Sequence, residues 1–398
     1  LEEYAARRSR VLEALAGAAA IVLAGEEVST PSLQGRWKTD RMFWYLTGLD
    51  FESGAAVLFD PSAEDPRRRI SLFLPSRDPE AERWDGPRDP LDSKLKAKTG
   101  FTDIKRSGHL PGALTNAARR TKRLACLHPF ALYTADLSPD LEIFQKIAQR
   151  IPGVAIEDQT QLLPTMRAVK SPAELALIEQ AIVATAAGFT DSMRMIRPGI
   201  SERAIAGTLI AAYRAHDADP AYELIVGTGF NSTILHYRDG DAVAREGDLI
   251  VMDCAASFEG YASDVTRTLP ASGVFTAEQR EVYEIVLKAE LAAIEAVKPG
   301  ATYTEVDAAA RAVIERAGYA DAFIHGTSHP VGIEVHDVTP DGPLSPGMVI
   351  TVEPGIYLPE RGFGVRVEDD VLVTDTGSRD LTSAIPKSVA AIEETMRR

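Results

Sequence analysis

The chain has 398 residues, with 58 acidic against 43 basic side chains and a formal charge of −15 at pH 7. Its 45% hydrophobic and 25% charged residues exclude a fibrous or disordered chain and leave room for two or more cored domains. The acidic balance, with no concentrated basic run, excludes nucleic acid and anionic membranes as partners, and two cysteines, Cys126 and Cys254, are too few for a disulfide framework and point to a reducing, cytoplasmic setting.

The first element is ambiguous. Arg7, Arg8 and Arg10 ahead of ALAGAAAIVLAG (14–25) imitate the basic start and apolar core of an export signal. Glu2, Glu3 and Glu13 argue against it, and the segment reads more simply as a helix through Leu15 followed by a buried strand around Ile21 to Leu23. Short apolar runs follow, VLFD after Ala56 and ISLFLP from Ile70, separated by Pro- and Arg-rich turns such as RDPEAERWDGPRDP. Residues 1–160 are therefore expected to form an α/β domain, with Trp37 and Trp84 on loops that either anchor packing or reach a cleft.

A second domain, 161–398, opens on a helix with complete start signals: Ser171 as N-cap, Pro172 in the first turn and Glu174 closing a capping box. Leu175, Ile178, Ile182, Phe189, Met193 and Ile196 recur at three- and four-residue spacing until Pro198-Gly199 stops it. Further helices are expected after Ser201, after Thr276 and Gln279 as far as Pro299-Gly300, and over Tyr303 to Ala317. Strands are expected at Leu249–Asp253, Tyr261–Pro270, Met348–Gly355 and Val365–Thr374, which makes the domain α+β with a largely antiparallel, curved sheet. No stretch offers 18 consecutive apolar residues, so no spanning helix is expected.

Those strands carry acids inside apolar runs. Asp253 ends Leu-Ile-Val-Met, Asp264 lies among β-branched residues, Glu353 follows Val-Ile-Thr-Val and Glu368 follows Val-Arg-Val. An isolated buried carboxylate costs several kcal/mol, and four of them exceed a folding stability of about 5–15 kcal/mol unless positive charge compensates. Arg267 and Arg366 are the nearby cations, too few for four acids, whereas divalent metal ions supply two charges each and bind oxygen directly. Between the strands lies HGTSHPVGIEVHD, holding His325, His329 and His336, three of seven histidines in the chain. The four-residue step from His325 to His329 is not a helical zinc pair, because Gly326 and Pro330 forbid a stable helix and no Glu follows His325. Four acids with one imidazole suit a pair of Mn²⁺, Co²⁺ or Zn²⁺ ions.

In order along the chain, MRAVKSPAELALIEQA, GTGFNSTILHY, MDCAASFEGYASDVTRT, HGTSHPVGIEVHD, ITVEPGIY and VRVEDD resemble the pita-bread metallopeptidases, and within them the aminopeptidase P and prolidase group. RWKTDRMFWYLTG and RDPEAERWDG resemble the creatinase-like N-terminal domain of that group. The resemblance implies five metal ligands, Asp253, Asp264, His329, Glu353 and Glu368, with Asp264 and Glu368 bridging two divalent ions, Mn²⁺ foremost. It implies hydrolysis of peptides with proline second, through a bridging hydroxide. Glu353 would carry the proton to the leaving nitrogen, His236, His325 and His336 would line the proline pocket and stabilise the tetrahedral intermediate, and Arg366 and Tyr357 would orient ligand carboxylates. A dimer or tetramer is implied as well. Prolidase, limited to Xaa-Pro dipeptides, is the nearest alternative, and a metal-free peptide-binding module the distant one. Many relatives carry a short segment ending in Asn and an acidic residue after the His-Tyr pair, whereas here Arg238-Asp239-Gly240-Asp241 follows Tyr237, so contacts at the substrate entrance are expected to differ.

Overall fold

A computed structural model describes residues 1–26, 39–50, 52–80 and 82–397, and the chain divides into two compact units, Leu1–Met166 and Arg167–Arg398. Trp37 lies outside the described residues.

In the first unit, α1 (Glu2–Ala14) leads into β1 (Ala20–Leu23), α2 (Arg41–Thr47), β2 (Ala56–Phe59), β3 (Ile70–Leu74) and β4 (Asp103–Arg106). β1 to β4 lie side by side, antiparallel except for the parallel β3–β4 pair. After α3 (Leu110–Thr121), a parallel pair of β5 (Arg123–Cys126) and β6 (Ala155–Asp158) flanks α4 (Pro139–Ala148). Ile21, Leu58, Phe73, Leu114, Leu124 and Phe144 share one core, as short, fully apolar strands between helices require. The arginines that imitated an export signal serve this packing: Arg7 donates to the Tyr45 carbonyl at 3.0 Å and Arg8 to that of Leu46 at 2.8 Å, both side chains buried. Trp84 is 86% exposed and anchors no core.

The second unit begins with α5 (Pro172–Met195), whose capping box is formed as expected, Glu174 accepting from the Ser171 N–H at 2.8 Å. By length and composition α5 is long and apolar enough to cross a membrane; its Ile178, Phe189 and Met193 are fully buried in the unit. There follow α6 (Glu202–Ala215), β7 (Ile225–Thr228), β8 (Leu249–Asp253), β9 (Thr266–Pro270), α7 (Ala277–Ala296), α8 (Tyr303–Arg316), β10 (Val349–Val352), β11 (Gly355–Leu358), β12 (Phe363–Arg366), β13 (Asp369–Val373), β14 (Ser378–Asp380) and α9 (Val389–Met396). Thr276 and Gln279 close the capping box of α7 as expected, and Thr302 with Glu305 closes another at α8. Every strand pairing described in this unit is antiparallel.

The long strands differ from expectation, because each is broken at its acid. Tyr261–Pro270 is interrupted over residues 263–265, so Asp264 stands before β9 rather than within it. Glu353 and Pro354 separate β10 from β11, and Val367 and Glu368 separate β12 from β13. Since Val352 pairs with Asp369 and Gly355 with Arg366, the two breaks face each other across one hairpin, which changes sheets there. Pro354 cannot donate to a ladder, and the Glu368 N–H leaves the hairpin to donate to Thr266 at 3.1 Å. At such a corner side-chain alternation lapses, and acids that a continuous strand would send to opposite faces can converge.

Candidate metal centre

Asp253 closes β8 opposite Thr266 of β9, Asp264 precedes β9, Glu353 and Glu368 occupy the hairpin corner, and the loop between α8 and β10 brings His325, His329 and His336 while that between β7 and β8 brings His236. Nine of the side chains singled out from the sequence, His236, Asp253, Asp264, His325, His329, His336, Glu353, Arg366 and Glu368, line one cavity of about 340 Å³. A larger cavity of about 430 Å³ in the first unit is lined by Asp60, Lys105 and Arg120 among others, with Asp60 paired to Arg120 and Lys105 to Asp103.

Within the cavity, ligand atoms of Asp264, His329 and Glu368 lie within 4.8 Å of one another. His329 Nδ1–H is placed to donate to the Pro330 carbonyl at 3.1 Å, so in the neutral ring the Nε2 lone pair faces Asp264 and Glu353, each at 3.4 Å. A lone pair facing two carboxylates is repulsive without a cation between them. A second such point is Tyr222, whose hydroxyl lies 2.6 Å from Oδ1 of both Asp253 and Asp264. Burial and the surrounding acids push the Tyr222 pKa well up, so one proton serves two anionic oxygens. Both arrangements fit a donor set of hard oxygens and one imidazole built around divalent cations.

Electrostatics agree. Burial raises the pKa of Asp253, carries Glu353 to about 8 and pushes Glu368 well up, with neighbouring acids adding to it. Burial alone would lower His329, yet the bond to Asp264 and the charge of Glu353 hold it at about 9. The cluster thus lacks positive charge, as its composition required. Arg366 supplies part of it: Nη2 donates to Asp253 at 2.6 Å, Nε to Thr266 Oγ1 at 3.0 Å and Nη1 to Tyr357 Oη at 3.0 Å. Arg267, the other cation considered, instead pairs with Asp369 at 2.6 Å and reaches Glu368 only at its backbone carbonyl.

The histidines are not equivalent. Tyr357 accepts from Arg366, so its own proton goes to His325 Nε2 at 2.8 Å, and His325 Nδ1–H then donates to the Gly326 carbonyl at 2.8 Å. Both nitrogens of His325 are committed, and burial lowers its pKa to about 4. His336 stands edge-on to His329, ring centroids 4.3 Å apart, and burial followed by the charge of His329 lowers its pKa. His236 is exposed to the cavity. Tyr222 and Thr266 escaped sequence reasoning; Thr266 donates to Glu368 at 2.6 Å. Neither sits as an acid in an apolar run, and only the fold brings them near.

Residues 176–375 match the family model for metallopeptidase family M24, and residues 4–125 that for the aminopeptidase P N-terminal domain. The chain is 33% identical to the Xaa-Pro aminopeptidase of Haemophilus influenzae, over 99% of this chain and 97% of the relative, and 32% identical to that of Escherichia coli over the same shares. Among solved structures, Pseudomonas aeruginosa aminopeptidase PepP superposes with a TM-score of 0.87 at 33% identity, covering 99% of this chain and 97% of that one. Escherichia coli aminopeptidase P with the inhibitor Pro-Leu gives 0.87 at 31%, covering 99% and 98%. The α+β pita-bread architecture, preceded by an α/β domain, is thus the fold of this chain. With a matched model over half its length and relatives similar throughout, the chain belongs to metallopeptidase family M24.

Proposed function

We propose that the chain is a Xaa-Pro aminopeptidase, a metal-dependent exopeptidase that releases the N-terminal residue from peptides with proline second. Residues 1–160 form its creatinase-like N-terminal domain and 161–398 its catalytic domain. The observation that carries the reading is the convergence of Asp253, Asp264, His329, Glu353 and Glu368, from separate segments, on one cavity with three further histidines. Relatives named Xaa-Pro aminopeptidase at 32–33% identity support it.

In this reading those five residues hold two divalent ions, Mn²⁺ being favoured by the preponderance of oxygen donors. When bound, the ions supply the positive charge that acidifies water and polarises a peptide carbonyl. The protein does the rest. Arg366 and Thr266 orient Asp253 and Glu368 through directed hydrogen bonds, leaving fewer lone pairs to wander. Glu353, at the cavity wall, takes the proton of the attacking water and returns it to the departing prolyl nitrogen, which cannot leave as an anion. His236 and His336, whose ring nitrogens meet no hydrogen-bond partner among the described residues, unlike those of His325, meet the scissile carbonyl and the pyrrolidine. A cavity of about 340 Å³ accommodates a dipeptide-sized end of a substrate and leaves the remainder outside.

Dialysis against a chelator should abolish hydrolysis of Xaa-Pro-Xaa peptides, and Mn²⁺ should restore it; full activity in metal-free protein refutes the reading. Rates on matched Xaa-Pro and Xaa-Pro-Xaa substrates separate it from prolidase. Two free, buried cysteines suit the cytoplasm. The proposed dimer or tetramer rests on the family resemblance and is read by light scattering.

A further inference from the structure

The loop between β7 and β8 carries His236 and Leu235 into the cavity wall, yet residues 234–242 contain no regular element. Its geometry converges on one carboxylate remote from the acid cluster. Glu202, the first residue of α6, is 1% exposed and its two oxygens receive four donors. Oε1 accepts from the Thr228 N–H at 2.8 Å and from Asn231 Nδ2 at 3.2 Å, before the loop apex. Oε2 accepts from the Ala242 N–H at 3.0 Å and from the Tyr237 hydroxyl at 3.0 Å, after it. The backbone repeats the tie, since the Glu202 N–H donates to the Ala242 carbonyl at 3.1 Å, and Arg203 Nε donates to the Gly240 carbonyl at 3.1 Å. An acidic side chain in the first turn of a helix also interacts favourably with the helix dipole.

We infer that Glu202 is a positioning residue for His236: it staples both sides of the loop and thereby sets the imidazole against the substrate. The inference rests on the proposed peptidase reading, in which His236 meets substrate. Among the described residues it is Glu202 whose two side-chain oxygens bond to opposite arms of the apex; a neutral amide would turn one NH₂ toward donors and release an arm. The Tyr237 hydroxyl that meets Glu202 also lies 3.1 Å from Asp241 Oδ1, so one side chain of the Arg238–Asp241 segment joins the same tie, while Ala242 is held through its backbone N–H.

The test is a double-mutant cycle of Glu202→Gln with His236→Ala in the Mn²⁺-loaded protein, assayed on a Xaa-Pro-Xaa peptide. Glu202→Gln should lower kcat/KM about tenfold or more with bound metal unchanged, and should cost less than about twofold further once His236 is alanine. An equal loss in both backgrounds, or activity within about twofold of wild type in the single variant, overturns the inference. Should Glu202→Gln not fold, Tyr237→Phe removes a single donor and should give a smaller loss with the same non-additivity; additive losses there overturn it equally. A His236→Ala single variant as active as wild type refutes the role of His236 itself, and metal dependence is read separately.

Discussion

Replacing Lys387 by methionine isolates a charge cluster directly behind the metal centre. The Lys387 ammonium donates to Glu290 at 2.8 Å, Asp369 at 2.7 Å and Asp380 at 2.8 Å. Asp369 also takes Arg267, and the side chains of Arg267, Asp369 and Glu290 are 0% exposed. Burial, with the charge of Asp369, raises the pKa of Glu290, so a protonated Glu290 leaves two cations against Asp369 and Asp380. Methionine keeps most of the volume and removes one cation. Breaking a buried pair from one side costs about 3–5 kcal/mol, and because Lys387 and Asp380 are 16% and 17% exposed the lower end applies. At ~2–4 °C per kcal/mol for a unit of this size, Tm should fall by about 6–12 °C. Calorimetry at neutral pH reads this. Adding Asp380→Asn should return part of the loss, whereas Glu290→Gln should return little, since that group is already neutral. A loss under about 1 kcal/mol, or equal rescue by both, refutes the charge balance.

Arg366→Lys should weaken metal binding by about 10–100-fold, read by titration of the metal-free protein, because an ammonium cannot serve Asp253, Thr266 and Tyr357 in one planar fork. In Gly364→Ala the new Cβ would collide with the Ser232 carbonyl oxygen, so unfolding should be easier by about 1–3 kcal/mol in denaturant titration. His325 should make the fold acid-sensitive: unfolded it takes a proton near 6.5 and folded only near 4, so its penalty grows as pH falls through that window. Relative to His325→Gln, wild type should lose up to about 3 kcal/mol between those limits, measured by denaturant unfolding across pH.

Much of the site was legible because desolvation makes acids in apolar runs conspicuous: Asp253, Asp264, Glu353 and Glu368 all reach the cavity. Capping boxes at Ser171 and Thr276 were legible for local reasons, being complete within four residues. The strand breaks were not. Val365 to Val373 holds no glycine or proline, valines stand on both sides of the acidic run Glu368-Asp369-Asp370, and Pro354 with Gly355 marks the corner on the facing strand. Tyr222 and Glu202 escaped because their partners lie 20 or more residues away. Glu290 carried a usable signal, an acid on the buried face of α7 with Val286 and Ala293, yet its partners Lys387 and Asp369 come from much later in the chain.

Three of the four acids stand in breaks and Asp253 at a strand end, so none is needed to keep neighbouring strands in register. Chemistry and architecture are thereby separable in this chain. An acid-to-amide exchange at a corner removes charge that the ladders never used, and the amide keeps nearly the same outline. Variants of that kind offer a catalytically silent receptor of unaltered shape, suited to holding an uncleaved peptide long enough to be identified.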